Sequence, residues 1–122
     1  MTIYALSSGS GQSGVAIIRV SGPETSQVIK LLTNEELPKP RSATFKKIYK
    51  VNSNEIIDEG IILWFPGPNS YTGEDMVEFH VHGSRAVIEA IHTSISKITN
   101  CRLAEPGEFT KIAFQNGKIN LL

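Results

Sequence analysis

Arg19 is the only charged side chain among the first 23 residues, and it sits inside an oily run, Val15-Ala16-Ile17-Ile18-Arg19-Val20. Strand alternation gives it the same face as Val15 and Ile17. A guanidinium in such a strand must reach a carboxylate, an anion or water. An internal ion pair or a snorkelling tip is the ordinary solution, and an anionic ligand is the functional one. A second group lies at Glu78, His80 and His82, which project from one side of a single strand while Val77, Phe79 and Val81 take the other. A carboxylate with an HxH pair can hold zinc, and a small metal-dependent hydrolase would use these three. No further His or Cys is placed to complete the shell, so a polar face on a half-buried strand competes with that reading. A carboxylate alone has another use. The amidine edge of a pterin or guanine ring carries two parallel N–H donors, and one carboxylate accepts both, as it does from arginine.

Four other features carry weaker signals. His82-Gly83-Ser84 leads into a helix, whose first N–H groups could hold an anion or simply be capped by Ser84. Lys118 follows the Asn116-Gly117 break, where a lysine usually compensates a helix dipole. Five basic residues fall between Lys39 and Lys50 with no acid among them. They alternate with Phe45, Ile48 and Val51, as on a solvated strand face, and would make at most a weak nucleic-acid contact. Gly9 to Gly14 matches GxGxxG, but a strand follows where a dinucleotide site needs a helix, so the match reads as a flexible loop. No GxxxxGK[ST] phosphate loop occurs.

The elements that must position these residues follow from pattern. Ile3–Ser7 is a short strand. Gly14–Ser21 is almost wholly apolar and reads as a strand covered on both faces. A helix is expected from Gly22-Pro23, with Glu24 at its positive end and Val28, Leu31 and Leu32 inward. A proline-bearing connector spans 34–40. Ala43–Val51 and Ile56–Phe65 form a hairpin about the turn Asn52-Ser53-Asn54. Residues 66–73, PGPNSYTG, are too rich in turn formers for regular structure. Asp75–His82 is a strand, and Ser84–Ile98 an amphipathic helix with Val87, Ile91, Ile95 and Ile98 in one stripe. Arg102–Ala104 is a short strand. Pro106–Gln115 is a helix closed by Asn116-Gly117. The order implies an α+β fold, a mixed β-sheet with flanking helices.

The chain has 122 residues, 40% of them hydrophobic, enough for one domain that buries about two-thirds of its surface. Twelve basic residues balance twelve acidic ones, which argues against a generic polyanion binder. The single Cys101 excludes an internal disulfide and any CxxC motif. No apolar run is long enough to span a bilayer, and no basic n-region opens the chain, so a cytoplasmic location is expected. Ile119–Leu122 is apolar and uncapped, which reads as a chain that continues into a further helix.

GVAIIRVSG at 14–22, LPKPR at 37–41, FPGPNSYTGED at 65–75, HGS at 82–84 and PGEFTKIAFQNGKINL at 106–121 together resemble the N-terminal domain of the MnmE (TrmE) family of tRNA-modifying GTPases. The resemblance runs almost end to end. It implies a fold similar to the tetrahydrofolate-binding domain of the glycine-cleavage T-protein. It also implies a dimerising domain, residues 1–122, that binds a 5-formyl-tetrahydrofolate-type one-carbon donor. The family's folate contacts fall on Arg19, Glu78 and Lys118. Full-length members add a helical domain and a GTPase using GTP, potassium and magnesium. With a flavoprotein partner (MnmG/GidA) they modify the wobble uridine of tRNA. The resemblance gives these 122 residues no catalytic residue, no metal and no GTPase activity of their own.

Overall fold

The alternation that marks the strands in the sequence sorts their side chains onto two unlike faces. The structure is a computed structural model describing residues 1–7 and 14–120. Within them run β1 (Thr2–Leu6), β2 (Val15–Ser21), α1 (Thr25–Thr33), β3 (Thr44–Tyr49), β4 (Ile56–Phe65), β5 (Met76–His82), α2 (Arg85–Ser96), β6 (Cys101–Leu103) and α3 (Glu108–Gln115). The strands form one mixed sheet in the order β3-β4-β5-β2-β1-β6. Only the β1–β6 pairing is parallel, and the others are antiparallel. This is the expected α+β arrangement. The GxGxxG reading at 9–14 falls outside the described residues except for Gly14.

One face of the sheet carries the core. Ile18 and Val20 of β2, Val77 and Phe79 of β5 and Ile62 of β4 are fully buried. Val28, Ile29 and Leu32 of α1 and Ile91 and Ile95 of α2 join the same cluster. Burying each such side chain contributes about 1.5–3 kcal/mol, so this face supplies most of the drive to fold. Ser84 caps α2, accepting a hydrogen bond from the Val87 N–H at 3.2 Å. Asn34 closes α1 in the left-handed region (φ 56).

Two expectations need correction. β2 is not covered on both faces: Ala16, Ile18 and Val20 are buried, but Val15 on the other side is 54% exposed. Both long helices pack on the core side, so the run is oily without being enclosed. Nor does α1 begin at Gly22-Pro23. Those residues form a turn, because Gly22 N–H donates to the Asp75 carbonyl and Glu24 N–H to Thr2 Oγ1. Gly22 has φ 138, and a Cβ there would lie 2.6 Å from Thr2 Cα. The helix therefore starts at Thr25, whose hydroxyl donates back to the Gly22 carbonyl at 2.8 Å.

Candidate functional site

On the sheet face away from the core, β2 and β5 run antiparallel with Arg19 directly opposite Glu78 and Ile17 opposite His80. The register alone makes the pair meet. Arg19 Nη2 and Nε donate to Glu78 Oε2 at 3.0 and 3.3 Å, and His80 Nε2 lies 3.0 Å from Oε1. The internal carboxylate is thus the partner that Arg19 reaches. Burial alone would push the Glu78 carboxyl up. Hydrogen bonds from His80 and Arg19, with the Arg19 charge, outweigh burial and hold it below the usual carboxylate value. Glu78 is therefore an anion at neutral pH. Among the described residues, three of its roughly four lone-pair directions are engaged, and one remains open on Oε1. Arg19 also lies against two rings, its guanidinium carbon 5.2 Å from the Tyr71 centroid and 5.8 Å from that of Phe109.

Tyr71 and Phe109 come from two segments that close over this charged strip. The first is the turn-rich loop at 66–75, tied down by its own polar residues. Ser21 Oγ lies 2.7 Å from Thr72 Oγ1 and donates to Glu74 Oε1 at 2.7 Å, while Gly67 N–H donates to Asp75 Oδ1 at 2.8 Å. Thr72 is fully buried. The second segment is α3, joined to β6 by the Arg102–Glu108 ion pair. The two segments touch where Asn116 Nδ2 donates to the Thr72 carbonyl at 2.8 Å and Tyr71 Oη lies 3.1 Å from Thr110 Oγ1. Gly73 makes this approach possible. It has φ +83, and a Cβ there would lie 3.1 Å from Asn116 Cβ and 3.3 Å from Lys118 Cε.

Between the loop and the sheet lies a cavity of about 560 Å³ whose walls include Glu78, Lys118, Tyr71, Phe65, Met76 and Arg41. Its size suits a small organic ligand. Glu78 and Lys118, 40 residues apart in sequence, line the same space. Arg19 is not among the lining residues and stands behind Glu78 as its partner. Arg41 was hidden within the basic run, and its place beside Phe65 could have been sought only through the LPKPR segment. The run itself does not act as one patch. Lys46 and Lys50 pair with Glu35 and Glu55 at 2.6 and 2.8 Å. Tyr71 lay inside a stretch read only as turns.

The strand-borne trio of Glu78, His80 and His82 does not converge. His82 turns to the neighbouring strand, its Nδ1 2.9 Å from Asp58 Oδ1, while His80 stays on Glu78. Among the described residues no group of three or more His, Cys, Asp or Glu side chains is placed to hold a metal ion. What the cavity lining offers is an anionic acceptor in Glu78, cations in Lys118 and Arg41, and the aromatic rings of Tyr71 and Phe65. That combination suits a flat ligand with an N–H edge and an anionic group.

Residues 2–118 match the family described as GTP-binding protein TrmE N-terminus. The chain belongs to that family. It is 75% identical over 122 residues, its whole length, to the tRNA modification GTPase MnmE of Pelagibacter ubique, covering 28% of that protein. It is 48% identical over 121 residues, 98% of its length, to the human mitochondrial 5-taurinomethyluridine-[tRNA] synthase subunit GTPB3, covering 25% of it. The mitochondrial tRNA modification GTPase gtpbp3 of Dictyostelium discoideum is 54% identical over 98% of the chain, which covers 25% of that relative. The chain thus spans about a quarter of the length of these TrmE-family relatives. No helix among the described residues is long and apolar enough to cross a membrane.

Proposed function

We propose that this TrmE-type domain binds a reduced folate, 5-formyl-tetrahydrofolate or a close relative, in the cavity between Glu78 and Lys118. The observation that carries this reading is the ionised Glu78 carboxylate facing a cavity of about 560 Å³ whose wall also holds Lys118. The pterin ring supplies an amidine edge for Glu78, and the folate's oxygen atoms and glutamate tail suit the cations. Arg19 serves by holding Glu78 ionised and oriented. A second N–H contact at Glu78 requires the longest present bond, Arg19 Nε at 3.3 Å, or the His80 contact to yield.

The same domain dimerises in this reading, which is supported by the uncovered sheet face carrying Val15, 54% exposed, and Phe45, 63% exposed. In the longer protein the folate would serve tRNA wobble-uridine modification, installing a 5-carboxymethylaminomethyl or aminomethyl group with an MnmG/GidA-type flavoprotein in the cytoplasm. GTP, potassium and magnesium belong to the remaining three-quarters of such a protein, and the 122-residue chain alone hydrolyses no GTP. A fold shared with the glycine-cleavage T-protein's folate domain is part of the same reading.

Isothermal titration of 5-formyl-tetrahydrofolate into the chain tests the site. Glu78→Gln should weaken binding by about 1.5–3 kcal/mol, the loss of a charge-assisted contact. Unchanged affinity removes Glu78 from the pterin role. Sedimentation with and without the folate reports the dimer, and a monomer under both conditions defeats that part.

A further inference from the structure

We infer that Arg41 is a specificity residue of the cavity, gripping the carboxylate end of a ligand whose N–H edge lies at Glu78; this rests on the folate reading above. Three observations carry it. First, Arg41 lines the same cavity as Glu78 and Lys118. Second, among the described residues no carboxylate lies within ion-pair distance of Arg41, whereas Arg19, Lys46, Lys50 and Arg102 each have one. Its charge is therefore not cancelled by the protein. Third, the side chain is held in advance. The guanidinium carbon lies 5.5 Å from the Phe65 ring centroid, and Nη1 donates to the Asn69 carbonyl at 3.1 Å. The backbone is fixed too: Arg41 N–H donates to the Trp64 carbonyl at 2.8 Å, and its φ of 62 is one that non-glycine residues rarely adopt.

With Nη1 engaged, the Nε and Nη2 donors remain as a planar fork, the geometry that matches a carboxylate. Lys118, a compact charge on a flexible stem, lacks that fork and suits a single oxygen. The cavity therefore offers two unlike contacts, an acceptor for a ring edge and a fork for an acid. A pterin without a carboxylated tail would satisfy only the first. Arg41 would make the site select the tailed folate over the bare ring.

The test is isothermal titration of 5-formyl-tetrahydrofolate and of a tail-less reduced pterin, 6-methyltetrahydropterin, into wild type, Arg41→Gly and Arg41→Lys. Glycine accepts a left-handed backbone, and thermal unfolding recorded alongside confirms that each variant folds. Arg41→Gly should lose about tenfold in folate affinity, the scale of one charge-assisted contact at an exposed position, and leave the tail-less pterin unchanged. Arg41→Lys should fall between. Equal folate affinity in wild type and Arg41→Gly, or parallel losses for both ligands, overturns the assignment while leaving folate binding intact. A wild-type chain that binds neither ligand defeats the folate reading itself, and the role of Arg41 with it.

Discussion

The two faces of the sheet solve opposite problems with the same strands. On the closed face, β2 and β5 present Ile18, Val20, Val77 and Phe79, all fully buried beneath α1 and α2. On the open face the alternate residues of those strands are Arg19, Glu78 and His80, each keeping partial access to water and each tied to another polar group. The closed face draws its stability from area, which is non-directional and tolerant of detail. The open face draws its order from register: moving β2 by one residue against β5 would separate Arg19 from Glu78 and turn Arg19 toward the core. The Arg19 charge survives on a strand this oily because its partner Glu78 stands opposite it on the next one. The charges of the open face are thus oriented without being sealed away, as the proposed folate site needs.

Mutations should separate the faces, and the largest effect belongs to the closed one. Phe79→Ala should lower stability by about 3–5 kcal/mol, read from denaturant unfolding, because it leaves a cavity at the centre of the core. On the open face, Arg19→Met should cost about 1–3 kcal/mol, discounted from a fully buried pair because both partners keep some water contact. The variant should also raise the Glu78 carboxyl pKa, measurable from its side-chain carbon shift on acid titration. In wild type the Glu78 contribution is fully present above the unfolded value of about 4.5 and is lost as pH falls through the lower folded value. If Arg19→Met left both stability and that titration unchanged, the open face would not depend on pairing.

A smaller effect is expected at His92 on the closed side. Its Nε2 is buried with no hydrogen-bond partner among the described residues, and the ring stands edge-on to Tyr4 at 5.2 Å. Burial pushes its pKa below 6.5, so the unfolded chain binds the proton first as pH falls. Its contribution is therefore present above pH 6.5 and lost as pH drops from there through the folded value. His92→Phe should flatten stability over that window in a series of thermal melts, and an unchanged slope would show that another group titrates there. The smallest effect is at His82, exposed at the end of β5 and paired with Asp58. His82→Ala should change unfolding free energy by less than about 0.5 kcal/mol.

The sequence made the open face partly legible. Period-two alternation placed Arg19 with Val15 and Ile17, and Glu78 with His80, because side-chain direction in a strand is local information. It could not say that Arg19 stands opposite Glu78, since register is set by how two distant strands pack. The same limit explains the trio of Glu78, His80 and His82. Sharing a strand face suggested a common target, but His82 found Asp58 one strand over. The segment at 66–75 showed only its turn chemistry, whereas its side-chain hydrogen bonds make it a cavity wall. Arg41 was invisible for a related reason, as its role depends on φ, on Phe65 and on the Asn69 carbonyl rather than on its charged neighbours. Lys118 could be placed beside Glu78 only through the family resemblance. The structure supplies the physical cause, a glycine at 73 that lets the end of α3 come close.

The most direct measurement is a crystal structure of the chain with 5-formyl-tetrahydrofolate. The pterin N–H edge should lie within hydrogen-bond distance of the Glu78 carboxylate, with Lys118 on an oxygen of the ligand and the tail carboxylate at Arg41. A folate bound elsewhere on the molecule, or one whose ring edge faces away from Glu78, would contradict that placement.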